Sequence, residues 1–473
     1  MLLWFVLLYW IISVGIGLWV ARRVKNTGDY ASAGHRMPLY VVTATVFATW
    51  FGSETVLGIP ATFLKEGLHG VVADPFGASL CLILVGLFFA VPLYRMQMLT
   101  IGDFYKRQYG RVVEVLVTLC IVASYLGWVA AQIKALGLVF NVVSQGAISE
   151  LWGMWIGSLT VMVYTLFGGM LSVAITDFIQ MIIIMVGMIY IGAQVSDSAG
   201  GVTHVVHQAM NTGKFHFWPA AKPAEIIAFF TAGITMMLGS IPQQDVFQRV
   251  SSADNEKNAG RASILGGVLY FGFAFVPMLL AFSATIIDPA LVNRFLEKDP
   301  QQILPRLVLT HAPVIAQIMF FGALLSAIKS CASATLLAPS VTFAENIVRG
   351  FYPAMTDKQL LKLMRWVVLI FTLLVTVIAV RSASPIFQMV ENAYKVTLVT
   401  AFIPLICGLY WPRTRPRGGL WSVLAGGGSW IFCEIFYPNA FLPPQLVGLV
   451  FSLGGMIIGS YWPVATSDKI RVI

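Results

Sequence analysis

The sequence predicts an all-α polytopic membrane protein of about thirteen spans, and three observations carry that expectation. The 473 residues are 58% hydrophobic and only 11% charged, whereas a soluble domain carries about 25% charged residues, so there are too few charges to cover a surface that faces water. Apolar runs of the roughly 20 residues that a bilayer crossing needs recur from end to end. Lys and Arg are concentrated in every second loop between those runs, as topology in a membrane demands. The spans read as helices, because lipid offers no partner to a backbone amide and a barrel would show short alternating strands.

In order, the runs are 2–20, 40–62, 70–94, 113–140, 148–166, 172–194, 224–245, 262–287, 313–346, 361–380, 385–410, 418–437 and 445–463. The first is too long, and too poor in a cleavage site, for a removable leader, so it is kept as a span. No soluble domain is expected after Pro463. The loops at 22–36, 95–111, 249–261 (Arg249 among them), 349–365 and 413–417, with Lys469 and Arg471 in the tail, hold twenty basic residues against seven in the alternate loops. The first set is therefore expected in the cytoplasm, with the N-terminus outside and the C-terminus inside. The net charge of +9 then follows from topology and anionic inner-leaflet lipid, and nucleic acid is not expected. Five cysteines lie in apolar runs and read as core. The six histidines show no metal spacing and no nucleophile–base arrangement, so neither an enzyme nor a cofactor is expected. The segment 288–312 reads as a loop with a short interfacial helix.

Three basic residues fall inside spans, Lys134, Lys329 and Lys395, and so do the acids Glu54, Asp74, Asp177 and Glu391. Ionisable groups inside a membrane are costly and mark functional sites by default. Two spans are also interrupted. The second reads VFATWFGSETVLGIPATF and the seventh AGITMMLGSIPQQDVFQR; Gly52, Ser53, Glu54, Gly58 and Pro60 break the one, Gly239, Ser240 and Pro242 the other. Unwound backbone at membrane depth survives only where it lines a cavity or ion site, and a pair of such breaks in corresponding positions points to a secondary-transporter binding site. The breaks lie five spans apart. Inverted repeats are thus expected over 40–195 and 223–411, with 196–222 as an outer loop and 1–39 and 412–473 peripheral.

Between the fifth and sixth runs lies YTLFGGMLSVAITDFIQ, a Gly-Gly turn followed by Thr176-Asp177 and Gln180. With GSETVLGIP, QDVFQRVSSADNEKNAGRAS, LLSAIKSCASATLLAPSVTFAENI and ICGLYWPRTRPRGGLWS following the same order along about residues 1–465, this resembles the sodium:solute symporter family, which includes proline, sialic acid, pantothenate and glucose sodium symporters. The resemblance implies a leucine-transporter-type fold of five-plus-five inverted repeats (the APC superfamily). It also implies sodium-driven uptake of a small organic solute by alternating access. Carried over by position, the sodium site would use the carbonyls of Ala48, Phe51 and Ala327 and the side chains of Ser330 and Cys331. A second cation site, found in only some members, would use Asp177 with Ser330 and Ser333. Sodium, a hard cation, wants oxygen ligands.

The chain departs from that pattern. Cys331 stands where the family has Ser or Thr, and a thiol is a poor ligand for a hard cation. Position 334, which can offer a hydroxyl, is Ala. Lys329 adds a charge beside the ligand stripe. Three readings follow: Lys329 pairs with Asp177 and replaces a bound cation, making transport proton-coupled or cation-independent; or it reaches a watery vestibule and sodium still binds; or it binds an acidic group of the solute.

The solute cavity is expected from Ser53, Glu54, Asp74, Gly239, Ser240, Gln243 and Glu391. Two carboxylates there would suit a solute offering hydrogen-bond donors, such as an amine, amide or polyol. Glu391 also reads as the helix partner of Lys395 at i, i+4, Lys134 as a snorkelling residue, and Trp50, Phe51 and Trp128 as hydrophobic gates. The expectation is therefore a monomeric multi-pass symporter of the cell inner membrane, coupled to sodium with proton coupling left open. The rival is a transporter-like nutrient sensor that works with a separate signalling partner.

Overall fold

The computed structural model describes residues 2–438 and 440–462; the expected cytoplasmic tail with Lys469 and Arg471 lies outside the described residues. The chain is almost wholly helical. Helix α1 is Leu2–Ala21. The second run becomes α2, Leu39–Trp50, and α3, Ile59–Glu66, with a π-helical turn Glu54–Gly58 between them. Phe51 leaves helical geometry (φ −82°, ψ 72°), so the interruption expected from Gly52 and its neighbours is present.

The next spans are α4, Leu68–Arg95, and α5, Arg111–Val143. Helix α6, Glu150–Ser198, runs over 49 residues, more than twice the roughly 20 that one crossing needs. It turns at Gly169, whose φ is +51°; a Cβ there would lie 2.6 Å from the Tyr30 carbonyl oxygen, so only glycine fits. Its two arms are the fifth and sixth runs.

Helices α7, Pro223–Gly239, and α8, Gln244–Ser252, bend by 47° at the second expected break. Then follow α9 (Glu256–Ile287), α10 (Val314–Phe351), α11 (Asp357–Arg381), α12 (Ile386–Tyr410), α13 (Pro416–Phe436) and α14 (Pro444–Tyr461). Among the described residues ten helices are long and apolar enough to cross a membrane, eleven if the bent pair counts as one span. The loop 288–312 carries two short helices, Pro289–Phe295 and Ile303–His311, where one was expected.

Burial sorts these helices. Every residue of α10 from 323 to 342 is buried, and so is all of α8; a helix covered on all sides is a core helix. Helix α10 packs against α6, α5, α2 and α1, while α13 and α14 pair with each other at the edge. Arg249, assigned from sequence to a cytoplasmic loop, is only 2% exposed near the end of α8. It is an interior charge rather than a loop charge, because the bend at Gly239–Gln243 tucks α8 back into the bundle.

Candidate solute and cation site

The break after α2 organises the centre of the molecule. The Gly52 amide turns back to the Trp50 carbonyl (3.0 Å) and the Ser53 amide goes to Gln132 Oε1 (3.0 Å). The carbonyls of Ala48 and Thr49 therefore lose the amides that would pair them in a continued helix. A Cβ on Gly52 would sit 2.8 Å from Cys331 Sγ and 2.7 Å from a Glu54 oxygen. Glycine thus lets the unwound segment press onto α10 at Cys331, in the turn expected to share a cation with Ala48 and Phe51.

Glu54 is 2% exposed. It accepts from Gln132 Nε2 (2.6 Å), Trp128 Nε1 (3.1 Å) and Ser53 Oγ (3.5 Å), with Cys331 Sγ at 3.9 Å. Gln132 thereby staples α5 to the break through both ends of its amide. Asp74, where α4 leaves helical geometry, accepts from the Tyr270 hydroxyl (2.5 Å), which also hydrogen-bonds Thr55 (2.9 Å).

Between the two carboxylates lies an aromatic cluster. The Trp50 ring is 6.1 Å from Trp128, 6.2 Å from Tyr394 and 6.5 Å from Tyr270 between centroids, and Trp128 is 5.4 Å from Tyr394. The Tyr394 hydroxyl is buried without a partner. Of the expected gates, Trp50 and Trp128 belong to this cluster, while Phe51 stacks on Phe47 (5.0 Å) and meets Tyr270 edge-on.

On the other side of α2, Asp177 from α6 accepts from Thr45 Oγ1 (2.5 Å) and Ser330 Oγ (2.5 Å), tying α2, α6 and α10 together. Ser333 donates to the Ser330 carbonyl (2.9 Å) instead of to Asp177. Lys329 does not pair with Asp177: its ammonium hydrogen-bonds Ser13 of α1 and lies 5.3 Å from the centroid of the Tyr164 ring. Arg249 donates to Thr49 Oγ1 (3.0 Å), whose hydroxyl donates in turn to the Thr45 carbonyl (2.6 Å). Asp245 accepts from the Tyr125 hydroxyl.

The remaining expected cavity residues are dispersed. Gly239 offers its carbonyl to Thr397 (2.6 Å), Ser240 bonds back to Met236 (2.6 Å), and Gln243 reaches Ser124 (3.0 Å). Glu391 lines a separate vestibule of about 680 Å³ with Gly58, Thr62, Glu66, Glu225 and Phe387. Among the described residues Glu391 makes no salt bridge with Lys395. Lys134 donates to the carbonyls of Ser382 and Ser384 (3.2 and 2.7 Å). Phe387 packs on Gly58 at the vestibule wall, where a Cβ on the glycine would meet it at 3.2 Å; Glu54 lies four residues earlier in the chain.

Gln132, Tyr125, Tyr270, Tyr394 and Asp245 escaped the sequence reading. One signal was present: Tyr125, Trp128 and Gln132 recur at i, i+3 and i+7, a single polar and aromatic stripe along an otherwise apolar span. Tyr270 stands alone in its run and carried none, and Tyr394 sits between Glu391 and Lys395, which read as an ordinary helix pair.

Comparison with known proteins matches residues 30–426 to the sodium:solute symporter family. The human high affinity choline transporter 1 is 27% identical over 465 residues, covering 92% of this chain and 78% of that one. The high-affinity proline transporter PutP of Bacillus subtilis is 24% identical, covering 96% and 97%. The solved structure of a sodium-coupled sialic acid symporter, substrate-bound and outward-open, superposes with a TM-score of 0.81 at 19% identity over 97% of both chains.

Proposed function

The chain belongs to the sodium:solute symporter family and is a sodium-coupled secondary transporter of a small solute in a membrane, and we propose that its solute is an organic cation taken up at the Glu54–Asp74 aromatic cluster. The observation that carries the reading is Glu54 itself. It is a buried carboxylate held by three neutral donors and by no cation, among tryptophan and tyrosine faces. A cation over such rings gains about 2 kcal/mol or more when desolvated, and a buried acid without a counter-ion is costly. A quaternary or primary amine answers both. Proline and sialic acid, the solutes of two relatives, are not simple cations; choline, which the human relative carries by its name, is one.

The coupling sodium binds between the end of α2 and the Ala327–Cys331 turn of α10, at carbonyls freed by the break. The vestibule at Glu391 is the outer entrance and Phe387 on Gly58 its seal. The loop charges support this orientation, with α1 starting outside, and the two breaks support inverted repeats over 40–195 and 223–411. Binding shifts the populations of outward and inward states.

The test is uptake of labelled choline into proteoliposomes under an imposed sodium gradient, with lithium as the control and tetramethylammonium as competitor. Sodium-dependent accumulation blocked by tetramethylammonium is expected. Proline uptake that organic cations leave untouched would sink the reading.

A further inference from the structure

The interior carries more negative charge than positive. Among the described residues, eight acidic or basic side chains are buried below a few per cent exposure: Asp29, Glu54, Asp74, Glu114, Asp177, Asp245, Arg249 and Lys329. Two have salt-bridge partners, Asp29 with Arg36 (2.7 Å) and Glu114 with Arg111 (2.8 Å). The other six have none. They are four carboxylates and two cations, held mostly by neutral groups, with Asp245 Oδ2 and Arg249 Nη2 left without a hydrogen-bond partner among the described residues, and uncompensated charge in lipid is costly.

Asp177 is the carboxylate joined to Ser330, the residue next to Lys329. Its two oxygens are already taken, Oδ2 by Thr45 and Oδ1 by Ser330. Ser333 is turned to a backbone carbonyl, and position 334 is an alanine that offers no oxygen. Arg249 and Lys329 both act on Asp177 through space and without touching it, one held by Thr49 and the other by Ser13. Lys329 directly precedes Ser330, one of the residues that hold Asp177. Its ammonium is anchored by Ser13 and by the face of Tyr164, a neutral cradle that fixes the charge without cancelling it.

We propose that Lys329 is a tethered stand-in for a second coupling ion: it balances Asp177 from the α1 side, so that the protein binds one sodium, at the α2 break, and none at Asp177. The inference rests on the sodium coupling of the family and not on the identity of the solute. It differs from an ion pair, since the ammonium and the carboxylate are held by different hydroxyls.

The experiment is equilibrium binding of radioactive sodium to purified protein in detergent, with no organic solute present. Wild type is expected to saturate at one sodium per chain, Lys329→Arg at one, Lys329→Met at two, and the Lys329→Met/Asp177→Asn double variant at one again. Two sodium ions on wild type, or one on a folded Lys329→Met, would overturn the proposal. Should Lys329→Met fail to fold, Asp177→Asn alone decides: the wild-type count is expected to stand, and the loss of a bound sodium overturns the idea. Wild type that binds no sodium refutes the coupling and this inference together, whereas absence of choline uptake with one sodium bound refutes only the solute.

Discussion

Two buried carboxylates lie on either side of the same helix break, and their surroundings could hardly differ more. Glu54 meets an indole, a side-chain amide and aromatic faces. Asp177 meets two small hydroxyls, with Lys329 and Arg249 behind them. Polarisable rings favour a large, weakly hydrated cation, while hydroxyls and carbonyls favour a small hard one or an ammonium that mimics it. The contrast teaches that a single unwound turn can serve two ions of opposite character when its two faces are lined by different neighbours. Here α5 supplies one lining and α6 with α10 the other.

The comparison is broken hardest at Glu54. Glu54→Gln keeps the shape and the donors' reach but removes the charge that would answer an organic cation. Losing one member of a buried charge pair costs about 3–5 kcal/mol, at least about a hundredfold in apparent choline affinity at roughly 1.4 kcal/mol per tenfold. The check is concentration-dependent uptake in proteoliposomes, with sodium binding measured alongside. Sodium binding without solute should stay within a few fold of wild type, since the α2 carbonyls and Ser330 are untouched; a variant that still takes up choline at wild-type concentrations would show that Glu54 is a structural cap.

Trp128→Phe is expected to come next. The ring remains and the indole N–H that donates to Glu54 at 3.1 Å is lost. A hydrogen bond to a charged group contributes about 1.5–3 kcal/mol, so choline affinity should fall by roughly ten- to a hundredfold with little change at the Asp177 side. An equal loss in sodium binding would mean that the two faces are not independent.

These residues were unequally legible in the sequence, for physical reasons. Glu54, Asp177, Ser330 and Lys329 stand out because each is a polar anomaly against an apolar background, where a charge is too costly to be incidental. Gly169 was legible as a turn because two spans cannot be one. Lys329's partner was not legible: spacing along α10 allowed a reach to Asp177, but whether the ammonium meets Asp177 or Ser13 depends on how closely α1 packs against the bundle, which no local pattern encodes. Arg249 was misplaced for a related reason. Its neighbours read as the start of a loop, and only the bend at Gly239–Gln243 returns it to the interior. Tyr270 and Tyr394 are ordinary core aromatics one at a time and become a wall only when α9 and α12 meet α2.

Gly52→Ala tests whether the faces can be disturbed together. The added methyl would meet Cys331 Sγ at 2.8 Å, Cys331 Cβ at 2.9 Å and a Glu54 oxygen at 2.7 Å, so the break must lift from α10. Overpacking of this kind costs about 1–3 kcal/mol. Sodium and choline affinities should both weaken, by about five- to a hundredfold, in sodium titration and uptake on the same preparation. A selective effect on either ligand alone would count against a shared hinge.

The smallest effect is expected at Cys331, and its sign is the informative part. The thiol points to Glu54 at 3.9 Å, so the α10 turn facing the end of α2 presents one hard oxygen side chain, Ser330, where a second hydroxyl could stand. In Cys331→Ser the oxygen is smaller and harder than sulfur, and it fits the same space. Its shorter C–O bond draws it back from Glu54, already at the limit of contact for sulfur, and leaves its lone pairs for the cation, which suits sodium better than a thiol does. One added ligand of this kind, at about 0.5–1.5 kcal/mol net, should lower the half-saturating sodium concentration by roughly two- to tenfold. Choline affinity at saturating sodium should move less. Titrating thermal stability with sodium chloride against lithium chloride reads the shift without any solute. A half-saturating concentration that stays put or rises in Cys331→Ser would mean that the coupling ion does not approach this turn, and the division of labour between the two faces would then have to be drawn elsewhere.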